Sequence, residues 1–221
     1  MDIQMPAKLT RTSLADESAK EIRKMILNGT LKPGDRVNEV HIAKQLQVSR
    51  GPIREALLML QNEGLVTHEV NKGTAVSILS TQDAYEIYTF RALLEAEAVQ
   101  LGMANMKDEH LTMLELIIKK FKYALDTSDM EGIVACDIEF HRVIVSMCNH
   151  SRLIQAHNQL DSQVGAMFLT ISNQVPMRVN RVVEIHQLLL DVLKSKDIER
   201  ISSELRLHYL LALKQLESKG R

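Results

Sequence analysis

From Ser80 to the C-terminus the sequence gives no strand signal, and the chain's β-rich runs both lie just before that point. They are Leu65-Val66-Thr67-His68-Glu69-Val70 and Thr74-Ala75-Val76-Ser77-Ile78, on either side of Asn71-Lys72-Gly73. Two such runs around a short Asn/Gly loop predict a hairpin. The chain is thereby confined to a mainly α fold with one small β element.

Three helices are expected ahead of the hairpin. Leu14, Ala15, Ala19, Ile22, Met25 and Ile26 recur at helical spacing between Ser13 and Asn28, and Gly29 stops that helix. Leu31-Lys32-Pro33-Gly34-Asp35 reads as a turn, because proline presets φ and the following glycine supplies a positive one. Asn38 is a candidate N-cap for a second helix carrying Val40, Ala43 and Leu46. Gln47-Val48-Ser49 leads into a third helix from Arg50 to about Asn62, with Ser49 as its cap and Pro52 in its first turn. Helix, helix, short turn, helix, hairpin is the order of a winged helix-turn-helix, here filling residues 1–79.

Residues 80–221 read as an antiparallel all-helical bundle. Ser80-Thr81-Gln82-Asp83 matches a capping box and opens a helix to about Ala104. Helical patterns follow at about 108–126, 129–148, 151–175, 177–195 and 197–217, with Pro176 dividing the fourth from the fifth. The chain has 221 residues and is 45% hydrophobic, yet no apolar run approaches the ~18 residues a membrane span needs. The first twenty residues lack the apolar centre of a secretory signal. Cys136 and Cys148 form no CxxC pair and read as free buried thiols of a reducing compartment. A cytoplasmic protein with no membrane contact is expected.

Net charge is −1, and residues 1–79 hold 11 Lys+Arg against 9 Asp+Glu, so any nucleic-acid contact must come from a local cluster. The third helix supplies one. Arg50 and Arg54 lie four apart and share a face, while Ile53, Ala56, Leu57 and Leu60 form the opposite stripe. Arginine reads guanine through two parallel hydrogen bonds from the N-terminal end of such a helix. One helix covers only a few base pairs, so a homodimer on a double-stranded pseudo-palindrome is expected.

The segment resembles the DNA-binding domain of the GntR family of bacterial regulators. The marks are Gly29-x-Leu31-x-Pro33-Gly34, Val48-Ser49-Arg50-x-Pro52-Ile53-Arg54-Glu55-Ala56-Leu57, Glu63-Gly64-Leu65 and Gly73. The resemblance implies operator contacts by Ser49, Arg50 and Arg54, and by Asn71, Lys72 and Gly73 at the wing. Gly51 stands where the family often has Thr or Gln, which removes a side-chain contact there.

Of eight histidines, His41, His68 and His110 lie on polar or turn-proximal segments, and His150 and His157 read as surface or packed residues. Asp137 and His141 share one side of a helix, while His186 and His208 lie on apolar stretches of two others. Buried histidines need partners, and the spacing leaves two open: hydrogen bonds within the core, or a metal ion with free coordination positions. The segment from Ser80 onward resembles the FCD effector domain of the FadR-type branch, in its shorter six-helix form. Its marks are Arg91-x-x-Leu94-Glu95, Asp137-x-x-Phe140-His141, Asn149, Glu184-x-His186 and His208. That resemblance implies a divalent ion, zinc or nickel, held by Asp137, His141, His186 and His208. It also implies a small organic-acid effector completing the metal shell, with Arg91 and Asn149 as further contacts. For Arg91, a salt bridge to Glu95 is the alternative. The expected function is a transcriptional regulator, read as a repressor. A regulator for which the metal itself is the signal, and more remotely a metal-dependent hydrolase, are the alternatives.

Overall fold

The computed structural model describes residues 13–174 and 179–217. Pro176, the expected helix divider, lies outside them. Helices α1 (Leu14–Leu27), α2 (Glu39–Gln45) and α3 (Arg50–Asn62) precede strands β1 (Val66–Glu69) and β2 (Gly73–Val76). The bundle comprises α4 (Thr81–Gly102), α5 (Asp108–Asp126), α6 (Met130–Ser146), α7 (Ser151–Gln159), α8 (Asp161–Gln174), α9 (Val182–Lys194) and α10 (Ile198–Glu217).

Local chemistry sets most element starts. Ser13 and Ser80 each close a capping box, with Asp16 and Asp83, and Asn38 accepts from the amides of Val40 and His41. Ser49 occupies the N-cap position of α3 with extended backbone, but its side chain makes no capping hydrogen bond. The strands are antiparallel with Val66 opposite Val76 and Glu69 opposite Gly73. Asn71 and Gly73 take φ of 68° and 81°, the left-handed values the tight wing tip needs. The expected turn at 31–35 also does more than turn. Past Gly34 (φ 87°) the chain lies along β2, with Arg36 bridging to Ala75 and the Val37 amide donating to the Thr74 carbonyl.

Ile22, Ile53, Ala56, Leu60, Leu65 and Val76 form the core of this N-terminal unit. Leu14 and Val40, expected on apolar stripes, are exposed instead. In the bundle, α4 lies along α10 and α5 along α6, around Leu114, Phe121, Phe140, Ile144, Leu190 and Leu205. The expected single helix at 151–175 is two helices. At Leu160 the ladder tightens, its amide donating to the His157 carbonyl, and α8 starts at Asp161.

The two units touch. Ala166 of α8 packs on the N-terminal core, and the Ser162 hydroxyl donates to Glu63 Oε2 at 2.7 Å. Glu63, at the end of α3, also accepts from Arg23 of α1 at 2.6 and 3.0 Å.

Candidate functional site

Helix α6 projects Asp137 and His141 inward one turn apart, α9 supplies His186 and α10 supplies His208. All four are buried, and one ligand atom from each falls within 4.8 Å of the others. Donors bound at ~2.0–2.2 Å around a common ion lie up to ~4.4 Å apart, so a small contraction suffices for this set.

The hydrogen bonds around the rings settle which nitrogens face inward. His186 Nδ1 lies 2.8 Å from the Val182 carbonyl, which only accepts, so that nitrogen carries the proton. His141 Nδ1 lies 2.8 Å from Glu95 Oε2, with the same consequence. The lone pairs of both rings are therefore on Nε2, and neither Nε2 has a hydrogen-bond partner although both are buried. His186 Nε2 instead stands 3.2 Å from Asp137 Oδ1. Protonated outer nitrogens fixed by a carbonyl or carboxylate, with inner lone pairs left over, is how metal-ligating histidines are usually oriented. Burial by itself would raise the Asp137 carboxyl; when the inner nitrogens of His186 and His141 hold a proton in the place of a metal, those rings and the Arg91 charge more than offset it and hold Asp137 below the usual range.

Glu95 organises the layer behind. This buried carboxylate takes Arg91 Nε at 3.1 Å, His157 Nε2 at 3.0 Å, the Tyr209 hydroxyl at 2.6 Å and His141 Nδ1 at 2.8 Å. Burial would raise it too, but His141, His157 and Arg91 keep it well below the ordinary carboxylate value. Arg91 continues outward to Asp161 Oδ1 at 3.0 Å, and Arg142 meets Asp161 Oδ2 at 2.7 Å. The expectation for Arg91 as an effector contact thus meets a guanidinium with no exposure, enclosed by Glu95, Asp161 and Tyr209. Its salt bridge to Glu95 is the alternative the sequence also allowed. Asn149 takes φ 52° in the exposed turn after α6.

A narrow cavity, with about 30 Å³ open to the centres of water molecules, reaches the quartet. Asp137, His186 and His208 line one end, and Tyr88, Val164, Phe168, Val182, Ile185 and Tyr209 are among its other walls. Arg91 and Asn149 do not line it. Glu95, His157 and Tyr209 went unread as site residues. The i,i+4 spacing of Arg91 and Glu95, and of Leu153 and His157, was the available signal.

On the N-terminal unit, Ser49, Arg50, Arg54, Asn71, Lys72 and Gly73 are all exposed. Arg50 and Arg54 converge on one carboxylate oxygen, Oε2 of Glu39 at the start of α2, at 3.3 and 2.9 Å. Lys72 pairs with Glu69 at 2.6 Å.

A winged helix-turn-helix joined to a helical domain with an internal polar centre is the architecture of a bacterial DNA-binding transcription regulator. Comparison with known proteins identifies which kind. Residues 14–76 match the description "Bacterial regulatory proteins, gntR family", and residues 86–211 match "FCD domain". The HTH-type transcriptional regulator YdhC of Bacillus subtilis (strain 168) is 31% identical over 192 residues, 86% of this chain and 84% of that protein. The gluconate operon transcriptional repressor of Bacillus licheniformis is 31% identical over 195 residues, 86% of this chain and 79% of its own. The solved structure of E. coli McbR/YncC superposes with a TM-score of 0.79 at 26% identity, covering 96% of this chain and all of that one. The chain belongs to the GntR family of transcriptional regulators and carries its FCD domain. That membership sets aside the hydrolase reading.

Proposed function

We propose that the protein is a homodimeric repressor whose operator affinity is set by a small organic acid bound at a divalent metal, zinc or nickel, in the FCD domain. The observation that carries this is a buried cluster of Asp137 and three histidines in which neither His141 Nε2 nor His186 Nε2 has a hydrogen-bond partner and His186 Nε2 stands 3.2 Å from Asp137 Oδ1. Asp137, His141, His186 and His208 would hold the ion, which would supply a positive centre with room for an anionic oxygen. Burial of all four ligands favours a resident ion over a freely exchanging signal. Arg50 and Arg54 would read base edges, Ser49 would reach the backbone, and the wing residues Asn71, Lys72 and Gly73 would reach the minor groove.

Two features support the rest of the assembly. Phe90 and Leu93 of α4 and Leu210 and Leu211 of α10 are large apolar side chains left exposed, and Leu93 and Leu210 line one groove between these helices. An apolar face of this kind suits a second copy. The Glu95–Arg91–Asp161 ion pairs run from His141 to the first residue of α8, next to the Ser162–Glu63 contact with the DNA-binding unit. A shift of α6, α9 or α10 on ligand binding would thus have a polar route to α3.

Protein prepared without chelator is expected to contain about one divalent ion per chain by elemental analysis. His186→Ala should lose most of it, and its melting temperature should no longer fall on chelation, because a ligand bound only to the native state stabilises it. His41→Ala serves as the control. Protein that holds no metal as prepared, and takes up neither zinc nor nickel when they are supplied, would sink the reading.

A further inference from the structure

We propose that Glu95 is the positioning residue that makes His141 a metal ligand: its carboxylate keeps the ring proton on Nδ1 and so leaves the Nε2 lone pair for the ion. The proposal rests on the metal-centre reading above and concerns how one ligand of that centre is prepared.

The two oxygens of the Glu95 carboxylate keep different company. Oε1 accepts from Arg91 Nε at 3.1 Å, from His157 Nε2 at 3.0 Å and from the Tyr209 hydroxyl at 2.6 Å. That hydroxyl itself accepts from Arg91 Nε at 2.8 Å, which directs its own proton to Glu95. Oε2 faces His141 Nδ1 at 2.8 Å. All five residues are buried, where such hydrogen bonds are strong and costly to lose. His186 is held differently: its Nδ1 donates to the backbone carbonyl of Val182, which no side-chain substitution removes. The proton of His141 thus depends on a side chain that can be replaced.

Glu95→Gln separates a role in positioning from one in packing. An amide has nearly the same shape, but offers one oxygen and one NH2 group. Arg91 has no lone pair, so its Nε needs an acceptor opposite, and the amide oxygen takes the place of Oε1. The NH2 group then falls opposite His141 Nδ1. Two donors cannot face each other at hydrogen-bond distance, so the imidazole gives up its Nδ1 proton and carries one on Nε2. That proton occupies the nitrogen the ion needs.

The test compares wild type with Glu95→Gln, both labelled with 15N-histidine, after circular dichroism and thermal melting have confirmed folding. In mildly alkaline, metal-free solution, where imidazoles are neutral, the ring 15N shifts should place a proton on His141 Nδ1 in the wild type and none there in the variant. Competition against a chelator should show zinc bound roughly 10–100-fold more weakly by the variant. A purely structural role for Glu95 would lower the melting temperature and move neither reading. A folded variant that binds zinc as tightly as wild type, or that keeps the Nδ1 proton, overturns the proposal and leaves the metal centre standing. Should the variant not fold, the wild type decides alone: a proton on His141 Nδ1 upholds the proposal, and its absence overturns it. Wild type that takes up no zinc sinks the metal-centre reading and the proposal with it.

Discussion

Arg50 and Arg54 are more than half exposed, and their shared partner Glu39 holds them through ion pairs of the surface kind. Such pairs contribute little to stability, roughly 0–1 kcal/mol. Replacing either arginine by alanine should therefore leave thermal unfolding almost unchanged. Operator binding should weaken by about 1–3 kcal/mol, with relaxed sequence preference. Lys72→Ala should instead lower the salt slope of binding by about one. Competition binding on operator and random DNA at several salt concentrations measures all three, and an unchanged ratio of the two affinities in Arg54→Ala would refute base reading by that helix. These exposed positions were legible because the signal is local: a serine, two arginines at i,i+4 and an apolar stripe opposite. The buried quartet of Asp137, His141, His186 and His208 was half legible. Asp137 and His141 share a helix turn, but only the family resemblance joined them to His186 and His208. Of the supporting layer only the Arg91–Glu95 pair was legible, from its i,i+4 spacing, since Glu95 meets His157 across 62 positions and Tyr209 across 114. No periodicity encodes such a pairing.

Among the helices, the break between α7 and α8 shows what propensity leaves out. Residues 151–175 contain no proline or glycine before Gly165, so the helical pattern runs on unbroken through Leu160. Yet the structure starts a new helix at Asp161, whose two carboxylate oxygens are taken by Arg91 and Arg142 from α4 and α6. A tertiary demand for that carboxylate coincides with the break. By contrast, the capping boxes at Ser13 and Ser80 were read at once, because both partners lie three residues apart. The close approach of α4 to the turn after α6 gives a prediction at this scale. A Cβ on Gly102 would meet the backbone N of Cys148 at 2.5 Å and the carbonyl carbon of Met147 at 2.6 Å. Backbone cannot swing aside as a side-chain tip does. Gly102→Ala should cost about 1–3 kcal/mol in denaturant unfolding, despite the higher helix propensity of alanine. Unchanged or increased stability would show that α4 can retreat from that turn at little cost.

For the molecule as a whole, the Ser162–Glu63–Arg23 contact joins the effector-side network to the helices that carry the DNA-binding surface. Zinc added to metal-free protein should slow amide exchange in the C-terminal half of α3 as well as around the quartet. In Ser162→Ala the quartet should still gain protection and α3 should gain less, with a coupling loss within the usual 1–3 kcal/mol range. Equal gains in both proteins would mean that the contact transmits nothing. Glu39 bears on a different property, the time the protein spends on the wrong DNA. A chromosome offers on the order of 10⁶–10⁹ competing sites, and each retards a regulator in proportion to its phosphate affinity. A carboxylate lying against both arginines competes with every phosphate they encounter, and yields only where base edges add enough contacts to displace it. Glu39→Gln should thus slide along random DNA with longer dwell times and take longer to arrive at its operator, even if it grips that operator more tightly once there.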